Sequence, residues 1–303
     1  MAERLGGRAR RLRSGARVQP GSGRWPVRAP RVRDASRTEQ PGVAAEDGFG
    51  LDLRFRERVL PLFRFLHERY WRVEVLGAHN IPATGAALLV ANHSGAIPFD
   101  GAMIVTAVRL AEPPGRPVRF LYDRFVDNMP GVGTFYRRVG GAPASYANTA
   151  RLVANGQVVL TFPEGIAGVA KPFRERYRLR RFSSSFIRLS LNHRVPIVPV
   201  AVVGAEEAYP LLARLEDVGK LLGVPYVPVT PLFPLLGVAG ALPLPSKWLI
   251  RFGKPIELYR TPIGDDALNP AIVPPRELAR KVRHRIAGMV MRLRRRRQSV
   301  FFG

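Results

Sequence analysis

Short apolar runs alternating with helical stretches constrain this chain more than any other feature. Residues 86–90 (Ala-Ala-Leu-Leu-Val), 118–122 (Val-Arg-Phe-Leu-Tyr), 157–162 (Gln-Val-Val-Leu-Thr-Phe) and 195–203 (Val-Pro-Ile-Val-Pro-Val-Ala-Val-Val) have strand length and strand composition. Helical segments at 101–110, 145–154 and 183–192 separate them. Further strands are expected at 71–76 and at 248–252, before Gly253-Lys254-Pro255. Strands separated by helices predict an α/β fold with a mostly parallel sheet flanked by helices. The prolines of the 195–203 run are expected at its entry, where a strand tolerates a residue without an N–H.

The run at 86–90 leads into Asn92-His93-Ser94-Gly95-Ala96-Ile97-Pro98-Phe99-Asp100. That is strand, turn, helix, with a histidine at the strand's end and an aspartate where the next helix starts. Open α/β sheets build their sites at the carboxyl ends of strands. A histidine there, held by a carboxylate, is a general base: the acid fixes the tautomer and stabilises the imidazolium. On one continuous helix, residues seven apart lie about 10 Å apart along the axis. His93 and Asp100 therefore meet only if the 95–98 segment turns back, which Gly95 and Pro98 permit. The competing expectation is that Asp100 merely caps the helix, as N-cap aspartates commonly do.

Two further stretches carry polar residues into the same pattern. Residues 130–141 set Gly131, Gly133, Gly140 and Gly141 around Arg137-Arg138. Glycines let a ligand approach the backbone and arginines grip phosphate, although most glycine turns are only turns. The 157–162 run passes straight into Pro163-Glu164-Gly165, which sets an acid at the sheet's carboxyl edge. Lys171, Arg174, Arg176, Arg178, Arg180 and Arg181 follow, as either a solvated face or a groove for phosphates.

The chain has 303 residues, with 48 Lys+Arg against 23 Asp+Glu and a formal charge of +25. That imbalance implies an anionic partner: nucleic acid, anionic lipid or a phosphorylated substrate. The absence of cysteine excludes a disulfide framework, a thiol nucleophile and a thiolate metal site. Residues 1–48 form an Arg-rich tail, rich also in Gly, Ser and Pro, that is expected to be disordered. Residues 49–270 form the main domain. It opens on an amphipathic helix at 51–71, bent at Pro61, whose apolar face suits either the core or a membrane interface. Residues 271–303 hold a basic amphipathic helix, expected at 276–297, of a kind that seeks membrane surfaces. No apolar run free of charges and breakers is long enough to span a bilayer. The nearest, 224–244, is interrupted by prolines and reads as an apolar loop or a surface resting on lipid. The N-terminus lacks the apolar segment of a secretory signal.

Taken in order, these pieces resemble the glycerolipid acyltransferase superfamily, which includes lysophosphatidate and glycerol-phosphate acyltransferases. Asn92-His93 with Asp100 is similar to its His/Asp block, and Gly133 with Arg138 to its Gly-x4-Arg block. Phe162-Pro163-Glu164-Gly165 resembles its Phe-Pro-Glu-Gly block, and 195–200 its proline-containing strand. The resemblance spans about 71–255. It implies an acyltransferase that moves a fatty acyl group from acyl-CoA, or another acyl thioester, to a glycerolipid hydroxyl. It implies His93 as the base, Asp100 as the residue that orients it, and Arg138 with Lys171 as phosphate ligands. Asn92, Gly133, Phe162, Pro163, Glu164 and Gly165 complete the implied substrate-binding set, with Glu164 and Gly165 shaping the acceptor pocket. Neither a resident cofactor nor a metal is implied. The expected location is the cytoplasmic face of a membrane, peripheral or monotopic. The expected partners are acyl-CoA, a lipid acceptor and an anionic membrane surface, and not nucleic acid.

The sequence departs from the family at one point. Four residues usually separate the His from the Asp, and here there are six. With 140–145 and 203–207, that longer loop is similar to a branch containing diacylglycerol acyltransferase-like and phytyl-ester-forming enzymes. The acceptor is therefore either a lysophospholipid such as lysophosphatidate, or a neutral lipid such as diacylglycerol or a long-chain alcohol. Two rival functions share these features. A lipid ester or thioester hydrolase can use the same pair on water, but the Gly-x-Ser-x-Gly nucleophile elbow is missing. A basic membrane- or nucleic-acid-binding protein without catalysis accounts for the charge, but no nucleic-acid motif is present.

Overall fold

A computed structural model describes residues 48–111, 116–260 and 268–302. All but the last residue of the Arg-rich tail expected at 1–48 lies outside them. Helix α1 (Leu53–Phe65) is capped by Asp52, whose carboxylate accepts the Phe55 N–H at 2.9 Å. It runs through Pro61 and widens into a π-helical turn, Leu66–Tyr70. The helix expected at 51–71 is therefore two geometries joined end to end. Next come β1 (Glu74–Leu76), β2 (Ala87–Ala91), α2 (Phe99–Leu110), β3 (Val118–Tyr122), α3 (Val132–Arg138) and β4 (Gly141–Pro143). They are followed by α4 (Tyr146–Ala154), β5 (Val158–Thr161), the single turn α5 (Ile166–Val169), α6 (Ser185–His193), β6 (Ile197–Val203) and the single turn α7 (Ala205–Ala208). A small excursion of β7 (Ala213–Leu215), α8 (Glu216–Leu221) and β8 (Val227–Val229) precedes β9 (Leu249–Phe252) and the long α9 (Pro275–Arg296).

Seven strands form one sheet in the order β1-β9-β6-β2-β5-β3-β4. Neighbours run parallel except β6 and β9. Parallel neighbours need crossovers, and α2, α3, α4 and α6 supply them within β2–β6. β2 lies at the centre, buried over its whole length. Its side chains alternate between two cores, as a pleated strand requires. Leu88 and Val90 join the core covered by α4, α6 and α9, whereas Ala87, Leu89 and Ala91 face Trp71 and the α2 residues Met103 and Ile104. The ends of the expected strands shift by up to three residues, and β4, β7 and β8 lie where no strand is expected. Pro199 lies inside β6 rather than at its entry. The ladder to β9 begins only at Val200 opposite Phe252, so the missing N–H falls outside it.

The helix at the C-terminus corrects one expectation. Leu278, Val282, Ile286, Met289, Val290 and Leu293 are buried in the first core. The apolar stripe that reads as membrane-seeking is covered by the sheet, chiefly by β6. The residues read as a separate basic unit at 271–303 thus complete the core of the domain. α1 behaves differently. None of its residues is fully buried, and Leu53, Leu62 and Phe65 remain exposed.

Candidate active site

The register of the sheet builds the site. Val90 stands opposite Thr161 in the parallel pair β2–β5, so the loops carrying His93 and Glu164 leave adjacent strands at one carboxyl edge. Asn92 extends β2 toward β6 with its side chain: Nδ2 donates to Val202 O at 3.1 Å and Oδ1 accepts Val202 N–H at 2.8 Å. That fixes the strand end one residue before His93. The chain then turns at Gly95, where φ is +84° and the Ala205 carbonyl leaves no room for a Cβ.

The turn brings Asp100 back onto His93. His93 Nδ1 lies 2.7 Å from Asp100 Oδ2, and Asp100 is wholly buried. Ser94 N–H donates to the same oxygen at 2.8 Å, and Gly101 N–H donates to Oδ1 at 2.8 Å. Asp100 sits in the first turn of α2 after Pro98, which holds the N-cap position, so the expectation of a simple capping aspartate does not describe it. A carboxylate only accepts, so Nδ1 carries a proton, and in the neutral imidazole Nε2 is then the acceptor. Phe162 stacks on the imidazole with ring centroids 4.0 Å apart. This histidine is held at one nitrogen and along one ring face, which is the arrangement a general base needs.

Glu164 buttresses the same loop. Its Oε1 accepts His93 N–H at 2.9 Å, and its Oε2 accepts the Arg180 N–H. Pro163 is the other end of that brace, accepting Ser183 N–H at 3.0 Å, and Gly165 takes a positive φ of +57° to start α5. Gly168 in α5 backs onto the histidine. A Cβ there would stand 2.7 Å from His93 Cβ and 2.9 Å from Glu164 Cβ. Nothing in the sequence marks Gly168, because the approach exists only once β2 and β5 are paired.

Two cations expected to hold phosphate have partners within the protein, one half-exposed and one buried. Arg138 ends α3, where it pairs with Asp52 at 2.9 Å and lies 3.8 Å over the Phe55 ring. Gly133 is a buried helical residue packed against Asp127, not part of an open glycine turn. Lys171 is buried, 3.1 Å from Glu206 and 3.9 Å from Glu164. Burial pushes the Glu206 carboxyl above its ordinary value, and Lys171 opposes that rise. A small recess beside the His93 loop is lined by Gly95, Ala96, Gly168, Lys171, Arg176, Tyr209 and Leu211, among others. Arg176 is exposed at this recess, over Phe173, and has no acidic partner among the described residues. It belongs to the arginine run whose purpose the sequence left open.

A family model of acyltransferases matches residues 72–203, the segment that holds β2, His93, Asp100, Glu164 and β6. An uncharacterized protein of Mycobacterium leprae is 44% identical over 260 residues, which cover 85% of this chain and 70% of that protein. One of Mycobacterium tuberculosis is 42% identical over 264 residues, covering 86% and 73%. The 1-acyl-sn-glycerophosphate acyltransferase PlsC of Thermotoga maritima has a solved structure that is 17% identical, with a TM-score of 0.48 over 79% of this chain and 82% of that one. The chain belongs to the acyltransferase family and is an acyltransferase.

Proposed function

We propose that this protein moves a fatty acyl group from acyl-CoA, or another acyl thioester, to the hydroxyl of a glycerolipid at an anionic membrane surface. The observation that carries this reading is the His93–Asp100 pair at the end of β2, with Nε2 free to accept a proton. His93 Nε2 takes the proton of the acceptor hydroxyl as its oxygen attacks the thioester carbon. Asp100 stabilises the imidazolium through Nδ1. When the tetrahedral intermediate collapses, the C–S bond breaks and the thiolate leaves, recovering the proton from Nε2. Ser94 N–H is already committed to Asp100, but the amides of Gly95 and Ala96 donate to no acceptor among the described residues. They are the donors assigned to the developing oxyanion. Asn92, Phe162, Pro163, Glu164 and Gly165 hold this machinery in place around the substrate.

For a phosphate-bearing acceptor such as lysophosphatidate, Arg176 takes the role first given to Arg138 and Lys171. One observation favours a second reading. Lys171 is buried against Glu206 and Arg138 is already paired with Asp52, which suits a neutral acceptor such as diacylglycerol or a long-chain alcohol. The test is transfer of labelled acyl from acyl-CoA to lysophosphatidate, glycerol 3-phosphate, diacylglycerol and a long-chain alcohol. Transfer to the phosphate-bearing pair, with a raised KM in Arg176→Ala, selects the first reading. Transfer to the neutral pair alone selects the second. His93→Ala lowers turnover by about 10²–10⁴-fold in either case. Undiminished turnover in that variant, or free fatty acid as the main product, overturns the assignment.

A further inference from the structure

We propose that the excursion between β6 and β9, residues 209–245, docks this protein on an anionic lipid bilayer and feeds a bilayer-resident lipid to His93. The feeding half rests on the acyl-transfer reading, whereas the docking half stands on the surface alone. In a chain that is 23% charged, no charged residue occurs between Lys220 and Lys247. Leu221 and Leu235 are 85% exposed, and Leu222, Leu236 and Leu242 are more than half exposed. Large exposed leucines gathered in one uncharged stretch of chain mark an interaction surface.

Its neighbours identify the occupant. Tyr70 OH donates to Pro243 O at 2.6 Å and Trp71 Nε1 to Leu244 O at 3.1 Å, which moors the excursion to the end of the α1 segment. That segment exposes Leu62 and Phe65 together with Arg54, Arg58 and Arg69, none of which has an acidic partner among the described residues. Apolar side chains beside unpaired arginines complement acyl chains beside anionic headgroups. A second copy of a chain with a charge of +25 offers no such complement.

The other end of the excursion is rooted at the site. Phe173 N–H donates to Leu211 O at 2.8 Å, and Tyr209 and Leu211 line the recess beside Gly95 and Gly168. That recess holds about 10 Å³, the room of one water molecule. The long chains of a lipid acceptor are not enclosed there, so they remain in the bilayer while its hydroxyl end reaches His93.

The test uses the full chain with vesicles of phosphatidylcholine, with and without phosphatidylglycerol. The variant Leu221→Gln/Leu222→Gln/Leu235→Gln/Leu236→Gln changes exposed side chains, and circular dichroism should match wild type. Its affinity for the anionic vesicles is expected to fall about tenfold or more. Because the chain has no cysteine, Leu235→Cys can carry a single environment-sensitive fluorophore, whose emission is expected to shift to the blue on vesicle addition. Acyl transfer to a vesicle-embedded acceptor is expected to fall with affinity, while transfer to a short-chain soluble acceptor is unchanged. Wild-type vesicle affinity in the quadruple variant, or an unshifted fluorophore, overturns the docking. So does a dimer that the variant dissolves without any change in vesicle binding, since the surface then belongs to a second copy. Lost vesicle binding in the variant of a protein that transfers no acyl group leaves the docking standing and removes the reading it was joined to.

Discussion

Asp100 shows how much one buried carboxylate is asked to do. It receives Ser94 N–H, Gly101 N–H and His93 Nδ1 with no exposure to solvent. Asp100→Asn puts an amide donor among three donors. We expect turnover to fall by about 10²–10⁴-fold and stability by about 1–3 kcal/mol for the orphaned donor. Kinetics and urea unfolding of the same preparation check both, and unchanged turnover would mean that Asp100 does not orient the base. Gly168 gives a sharper test of position. Gly168→Ala inserts a methyl 2.7 Å from His93 Cβ, and a displacement of the order of 1 Å at the base costs about 10²-fold in kcat. A wild-type kcat in a folded Gly168→Ala protein refutes that account of the loop. The contrast between these residues shows what the sequence could convey. His93 and Asp100 were legible because a strand end and a turn former locate them locally. Gly168 was not, because its constraint arises between two strands. The partner of Arg138 was hidden for the same reason: Asp52 lies 86 residues earlier, and no spacing rule links them.

Elements were legible to the extent that their periodicity was local. Strands β1, β2, β3, β5, β6 and β9 and the helices α2, α4 and α6 follow from apolar runs and turn residues, whereas the short β4, β7 and β8 carry no such run and the covering of each face depends on topology. α9 illustrates the difference, because its stripe predicted an amphipathic helix correctly but could not say whether sheet or lipid covers it. Ile286→Ala is therefore expected to cost about 2–5 kcal/mol and to leave vesicle binding at wild-type strength. A variant of undiminished stability that releases vesicles would restore the membrane-seeking role. α1 is held at its start by Asp52, and the Phe55 N–H followed by Arg138 keeps that carboxyl below its ordinary value. A lowered folded-state pKa contributes stability that is present above the ordinary aspartate value and is lost as pH falls through the folded one. The difference in Tm between wild type and Asp52→Asn should be open at neutral pH and close below about pH 4. A gap that does not change with pH would show that the Asp52 charge plays no part in docking α1.

At the scale of the whole molecule, a buried charge network joins the site to the chain's far end. Lys171 pairs with Glu206 beside the recess, and Glu206 accepts the Tyr177 N–H at 2.8 Å. Tyr177 OH bonds to Glu207, the residue next to Glu206 in α7, and Arg297 Nη2 reaches Glu207 at 2.6 Å. The segment just after α9 is thereby tied to the loop that follows Glu164, and the parallel sheet alone would not join them. In this network the carboxylates of Glu164, Glu206 and Glu207 face the cations of Lys171 and Arg297. Removing one cation leaves a buried carboxylate uncompensated, which costs more than the pair itself contributes. Arg297→Met is accordingly expected to lose about 3–5 kcal/mol, read as a lower urea midpoint. Adding Glu207→Gln to it removes the stranded charge and should recover much of that loss, giving a positive coupling in the double-mutant cycle. If Arg297→Met stays within about 0.5 kcal/mol of wild type, the contact is peripheral and the end of the chain is not held through Glu207. If the double variant is as unstable as the single one, the loss comes from packing around the guanidinium stem and not from charge.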